Sequence, residues 1–107
     1  MDATVGARIL REELALPLCT LRDGALRANS RALPTFLHAL GARCGAAVEL
    51  SPHGKTSMIK ELWRRQLDDG CWAITTANAQ QARVAREAGV GRVLMANQLV
   101  EIGRAHV

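Results

Sequence analysis

Ser51-Pro52-His53-Gly54-Lys55-Thr56 places a lysine between a Pro-His-Gly approach and the expected start of a helix. Two chemistries use a lysine at a strand-to-helix turn. A phosphate-binding loop uses it beside a cradle of backbone N–H groups. An aldehyde cofactor uses it as a Schiff-base amine, which must lose its proton near neutral pH and so wants desolvation or a nearby cation. His53, two residues upstream on an extended segment, is expected to project to the same side as Lys55.

The phosphate-loop pattern G-x-x-x-x-G-K-[ST] is met only at Gly54-Lys55-Thr56. Its first glycine falls on Glu49, whose carboxylate opposes anion binding, and Pro52 removes an amide donor from the cradle. The amine reading survives both objections, and from local context alone it stands beside the plain alternative of a surface lysine in a βα loop.

The surrounding elements follow from apolar spacing and caps. Leu14–Leu21, interrupted by Pro17, suits an edge strand or extended lead-in. Asp23 can cap a helix carrying Leu26, Leu33, Phe36, Leu37 and Leu40, kinked or restarted at Pro34 and ended by Gly41 or Gly45. Ala46–Leu50 reads as a strand. Ser57 is expected to cap a helix with Met58, Ile59, Leu62, Trp63 and Leu67 on its apolar face, stopped by Gly70. Cys71–Thr76 reads as a second strand. Asn78 caps a helix through Ala82, Val84, Ala85 and Ala88, stopped by Gly89, and Arg92–Ala96 is a third strand.

Strand, helix, strand, helix, strand predicts βαβ units and a parallel sheet. The carboxyl ends of its strands, where such folds keep their chemistry, hold His53, Lys55, Thr75, Thr76, Asn97 and Gln98. Three parallel strands leave two open edges and cannot bury their apolar faces alone. The expectation is therefore an N-terminal piece of a larger α/β domain.

Composition narrows the class. The 107 residues, 49% hydrophobic and 22% charged, amount to one small domain. No run approaches the ~18 apolar residues of a membrane span, and no signal-peptide pattern opens the chain, so a cytoplasmic protein is expected. The net charge of +4 is spread over scattered arginines, and aromatics are only Phe36, Trp63 and Trp72, which argues against a nucleic-acid partner. Cys19, Cys44 and Cys71 form no C-x-x-C pair and read as reduced, partly buried thiols. His38 has no ligand partner at metal spacing and reads as a packed or exposed helix histidine, and no metal ligand is expected in this chain.

Pro52-His53-Gly54-Lys55-Thr56-Ser57-Met58, Gln66-Leu67, Gly70-Cys71-Trp72-Ala73-Ile74-Thr75, Gln81-Ala82-Arg83-Val84-Ala85 and Gly91–Val100 occur in an informative order. From about Leu16 to Val100 this order resembles the alanine-racemase-like, fold-type III pyridoxal-phosphate enzymes. Within them it is similar to the branch of D-serine dehydratases, D-threonine aldolases and bacterial amino-acid deaminases. The resemblance implies an α/β fold: the N-terminal part of a TIM-type (β/α)8 barrel, about three βα units, incomplete. Residues 1–22 would be a lead-in segment and strand, and 23–100 the partial cofactor-binding barrel.

The resemblance also implies roles. Lys55 would carry pyridoxal 5′-phosphate and, once released, act as general base on the α-proton of a D-amino acid; His53, Thr75 and Asn97 would face the cofactor. Loss of a β-hydroxyl, aided by zinc or manganese on ligands outside this chain, would give an oxo acid and ammonia. The full-length enzyme would be a homodimer. Lys55-Thr56-Ser57-Met58 is closer to the K-T-T-M of the deaminases than to the K-T-H-K of aldolases and eukaryotic dehydratases. Retro-aldol cleavage of D-threonine, and a non-catalytic cofactor-binding protein of the same fold type, are the alternatives. Cys71 and Ala73 replace smaller residues of the family's G-A-W-G-I-T. Members carry more residues ahead of this region.

Glu101-Ile102-Gly103-Arg104-Ala105-His106-Val107 resembles the translation of a sequencing adapter. The native sequence is then expected to end near Val100. The 107-residue chain by itself is expected neither to hold the cofactor stably nor to turn over substrate.

Overall fold

A computed structural model describes residues 17–99. The expected strand portion before Pro17 and the adapter-like tail lie outside them. The elements are α1 (Asp23–Cys44), α2 (Lys60–Asp68), β1 (Ile74–Thr76), α3 (Ala79–Glu87) and β2 (Val93–Met95).

β1 lies in the middle of the parallel arrangement. On one side it pairs with β2 in the register Ile74 to Val93, Thr75 to Leu94 and Thr76 to Met95. On the other side it meets the first extended segment through a parallel bridge between His53 and Thr75. The three segments thus lie in chain order, and the chain is a mixed helix–strand fold with a parallel sheet.

The expected first strand does not form among the described residues: the sheet has two strands, β1 and β2, and the first segment meets β1 only through the single His53–Thr75 bridge. Residues 46–50 form no ladder, and Ala46–Glu49 are exposed. Pairing falls later, through Trp72 N–H to Leu50 O (2.8 Å), Thr75 N–H to Pro52 O (2.8 Å) and Gly54 N–H to Thr75 O (2.7 Å). From Leu50 to Pro52 this segment advances two residues while its partner advances three, from Trp72 to Thr75. That mismatch is a bulge. Its physical cause is Pro52, which has no N–H to give to a regular ladder.

Alternation along the strands separates two faces. Ile74, Thr76, Val93 and Met95 share one; Thr75 and Leu94 share the other with His53. Trp63 of α2 and Ala85 of α3 pack with Ile74 and Val90 in one cluster, flanked by Met58, Leu67, Val84, Ala88 and Val93. Both helices therefore cover the Ile74 face. Leu94, on the opposite face, is 46% exposed.

Gly54 is buried where the first segment crosses this core. A Cβ there would lie 2.7 Å from Ile74 Cγ2 and 2.7 Å from Trp63 Nε1. The backbone can pass between the strand and the indole only because this residue has no side chain.

The helices explain two further departures from expectation. Ser57 does not cap α2: Ile59 occupies that position without a side-chain cap, and Ser57 Oγ reaches only Ile59 N–H at 3.5 Å. A turn closed by Met58 N–H to Gly54 O (3.1 Å) uses up these residues, leaving Met58 at φ 51 and the helix starting at Lys60. Met58 and Ile59 therefore precede the helix, although Met58 still packs on the core. The α3 cap is as expected, with Asn78 Oδ1 accepting from Gln81 N–H (2.9 Å) while Gln81 Oε1 accepts from Ala77 N–H (2.9 Å).

α1 passes through Pro34 without restarting, and the Thr35 hydroxyl donates to Arg31 O (2.8 Å) in the turn the proline weakens. It ends at Gly45, φ 68. Asp23 is its first residue rather than its cap; the carboxylate accepts from Arg27 (2.9 Å) and from Arg65 of α2 (2.7 Å). The Arg65 guanidinium holds Asp23 below the ordinary carboxylate value. Arg31 meets Asp69 at 3.3 Å. These pairs are exposed and orient α1 more than they stabilise it. Cys71 is buried, which pushes its thiol pKa up with Asp69 adding to the effect, whereas Cys19 and Cys44 are exposed rather than partly buried.

Gly54→Ala is expected to destabilise the fold by about 1–3 kcal/mol, the usual cost of forced overpacking. Chemical denaturation of the variant and wild type measures it; equal stability would show that the strand and indole are not packed against this backbone.

Candidate functional site

The carboxyl edge of the three parallel segments gathers the predicted site residues to different degrees. His53 and Thr75 are bridged side by side. Lys55 follows at once, at the start of the turn that leads to α2, and its side chain is exposed. Its backbone N–H faces His53 Nδ1 at 3.5 Å, the outer limit of a hydrogen bond. None of the ion pairs among the described residues involves Lys55. Because 55–57 form a turn rather than extended chain, strand alternation does not place His53 and Lys55 on one side as expected. The loop, not the strand, aims the lysine.

Thr75 is 5% exposed and bonded on every polar atom. Its N–H donates to Pro52 O and its carbonyl accepts from Gly54 N–H. Its hydroxyl donates to Ser51 O (2.8 Å), and Ser51 Oγ lies 2.7 Å from the same hydroxyl. Since the Thr75 hydrogen is spent on the carbonyl, Ser51 must donate to Thr75. Thr76 is fully buried, 4.0 Å from Met95 Sδ. Asn97 stands exposed just beyond β2, one strand past Thr75, and its Oδ1 accepts from Gln98 N–H (2.9 Å). Lys55, His53 and Thr75 are thus neighbours along one edge, while Asn97 marks the same edge further on.

This geometry disposes of the phosphate loop. Pro52 has no N–H, Gly54 N–H is committed to Thr75 O, and Lys55 N–H points to His53. α2 begins at Lys60, too late to aim its free N-terminal amides at an anion beside Lys55.

Ser51 has no role predicted from sequence, though its serine type beside a donor-less proline is the signal that could have marked it. Trp72, 40% exposed, carries Arg92 over its ring at 5.5 Å, at the amino-terminal end of the sheet away from Lys55. A hollow of about 770 Å³ between α1 and residues 45–50 is lined by His38 and Glu49 but by none of the predicted site residues. Among the described residues no group of three or more His, Cys, Asp or Glu is placed to hold a metal ion, and no helix is long and apolar enough to cross a membrane.

Set against known proteins, the chain matches no family model and no curated sequence.

Since Lys55 is exposed and unpaired with any carboxylate among the described residues, Lys55→Ala should change stability by no more than about 0.5 kcal/mol. A denaturation midpoint equivalent to a larger loss would mean that the amine supports the fold rather than standing free for chemistry.

Proposed function

We propose that Lys55 is the cofactor-bearing lysine of a pyridoxal 5′-phosphate-dependent lyase acting on D-amino acids, a D-serine or related deaminase, and that residues 23–100 open its (β/α)8 barrel. One observation carries the reading. Lys55 leaves the carboxyl end of the first of three parallel segments that lie in chain order, with both connecting helices on one face. Chain-order winding with helices on a single side is how a barrel begins, and barrel enzymes keep their chemistry at this edge. The ordered motifs from Pro52 to Val100, with their resemblance to fold-type III enzymes, supply the cofactor's identity.

The residues present fit part of that cofactor. An exposed primary amine at the strand edge is open to its aldehyde, but the described residues do not supply the desolvation such an amine wants, and the committed amides of residues 52–54 leave the phosphate to other loops. When bound, the cofactor supplies a ring that takes up the electron pair left at the substrate α-carbon. The chain supplies the base: the Lys55 amine, once freed, takes the α-proton. His53, whose Nδ1 lies 3.5 Å from the Lys55 N–H, is the imidazole nearest in sequence to that amine. A β-hydroxy D-amino acid as substrate, a divalent metal on ligands outside this chain and a homodimeric enzyme complete the reading. Lys55-Thr56-Ser57-Met58 favours the deaminase over the aldolase.

Lys55 and Lys60 are the only lysines, so each controls for the other. The chain is mixed with pyridoxal 5′-phosphate, reduced with borohydride and mapped by mass spectrometry. The adduct is expected on Lys55 at several times its level on Lys60, without a lasting absorbance band before reduction. Equal labelling contradicts the assignment of Lys55. A lasting band that Lys55→Ala abolishes contradicts the placement of the remaining pocket outside this chain.

A further inference from the structure

We infer that Thr75, with Ser51, is the positioning residue that sets where Lys55 emerges, and that its hydroxyl stands in for the ladder bond that Pro52 cannot make. This rests on the reading of Lys55 as the cofactor-bearing lysine.

A regular parallel ladder would hold residues 50–54 against β1 by alternating bonds from both strands. Pro52 interrupts it, and the bulge between Leu50 and Pro52 shows the interruption. The backbone then ties this stretch to its neighbour only through Leu50 O, Pro52 O and Gly54 N–H, and residue 52 donates nothing back. The Ser51–Thr75 pair closes that gap from the opposite direction. Thr75 Oγ1 donates to Ser51 O at 2.8 Å, and Ser51 Oγ answers at 2.7 Å. With its own N–H on Pro52 O and its carbonyl on Gly54 N–H, Thr75 makes four hydrogen bonds to residues 51–54.

Lys55 is the next residue along. Any slip of the 51–54 stretch moves the amine directly, because nothing else among the described ion pairs anchors it. Neither hydroxyl keeps a hydrogen to donate to a bound group. Thr75 therefore acts on the site through Lys55 rather than by donating a hydrogen bond to the cofactor.

Thr75→Val keeps shape and removes the hydroxyl; Thr75→Ser keeps the hydroxyl; Ser51→Ala removes only the answering bond. Two readouts are taken on the intact chain: amide exchange of Gly54 relative to Ala88 in α3, and the Lys55-to-Lys60 ratio of borohydride-trapped pyridoxal phosphate. Thr75→Val is expected to speed Gly54 exchange about five- to tenfold, the effect of losing one ordinary hydrogen bond, and to pull the labelling ratio toward one. Thr75→Ser should restore both, and Ser51→Ala should show a smaller change in the same direction. If Thr75→Val does not fold, Ser51→Ala and Thr75→Ser carry the comparison. The inference is overturned if Gly54 exchange and the ratio are unchanged in Thr75→Val and Ser51→Ala, or if Thr75→Ser fails to restore them. A ratio of one in the wild type overturns the cofactor reading alone, and the exchange data then decide the clasp by themselves.

Discussion

Everything in the sheet depends on a backbone passing between a strand and an indole. Gly54 lies where Ile74 Cγ2 and Trp63 Nε1 would each stand 2.7 Å from a Cβ. Trp63 and Ile74 are among the largest fully buried side chains in the described structure. One glycine thus lets the first segment, α2 and β1 share a single core. It also fixes the height at which the chain turns out of the sheet, one residue before Lys55. The requirement for glycine here comes from packing, not from a loop that binds phosphate.

That distinction changes how the Gly54-Lys55-Thr56 string is understood. In a phosphate cradle the glycine frees amides for an anion. Here its amide is tied to Thr75 O, and its missing side chain serves the interior. The same three letters are used for opposite ends, and only the partners of the N–H groups tell them apart. Among the described residues the Lys55 side chain is exposed and in no ion pair, at the carboxyl edge of the parallel segments.

The rhythm of the fold was legible because it rests on local signals. Asn78 caps α3 as its side chain predicts, and Gly45, Gly70 and Gly89 take the positive φ values that end or follow the helices. What was not legible depends on groups distant in sequence. The apolar run Ala46–Leu50 reads as a strand, yet Ala46–Glu49 lie exposed while pairing slides to residues 50–54. Pro52 argues against a strand by composition, but β1 accepts it through a bulge and a hydroxyl pair 24 residues apart. Spacing puts Met58 on a helix face; the Gly54–Met58 turn consumes it, and its φ of 51 is not foreseeable for a methionine. Of the candidate site, the succession of His53 and Lys55 at the end of the first extended segment follows from the sequence, but the turn at residues 55–57 that takes Lys55 off the strand alternation does not. That Thr75 faces inward onto Ser51 does not follow either, since no spacing rule links them.

Gly54 runs between Trp63 and Ile74 and so delivers Lys55 to the carboxyl edge of three parallel segments in chain order. Nuclear Overhauser contacts in the intact chain test it most directly. The account requires strong contacts from the Gly54 α-protons to the Trp63 indole N–H and the Ile74 γ-methyl, together with contacts between His53 and Thr75. An indole N–H without contacts to Gly54, or a His53 without contacts to Thr75, would contradict it.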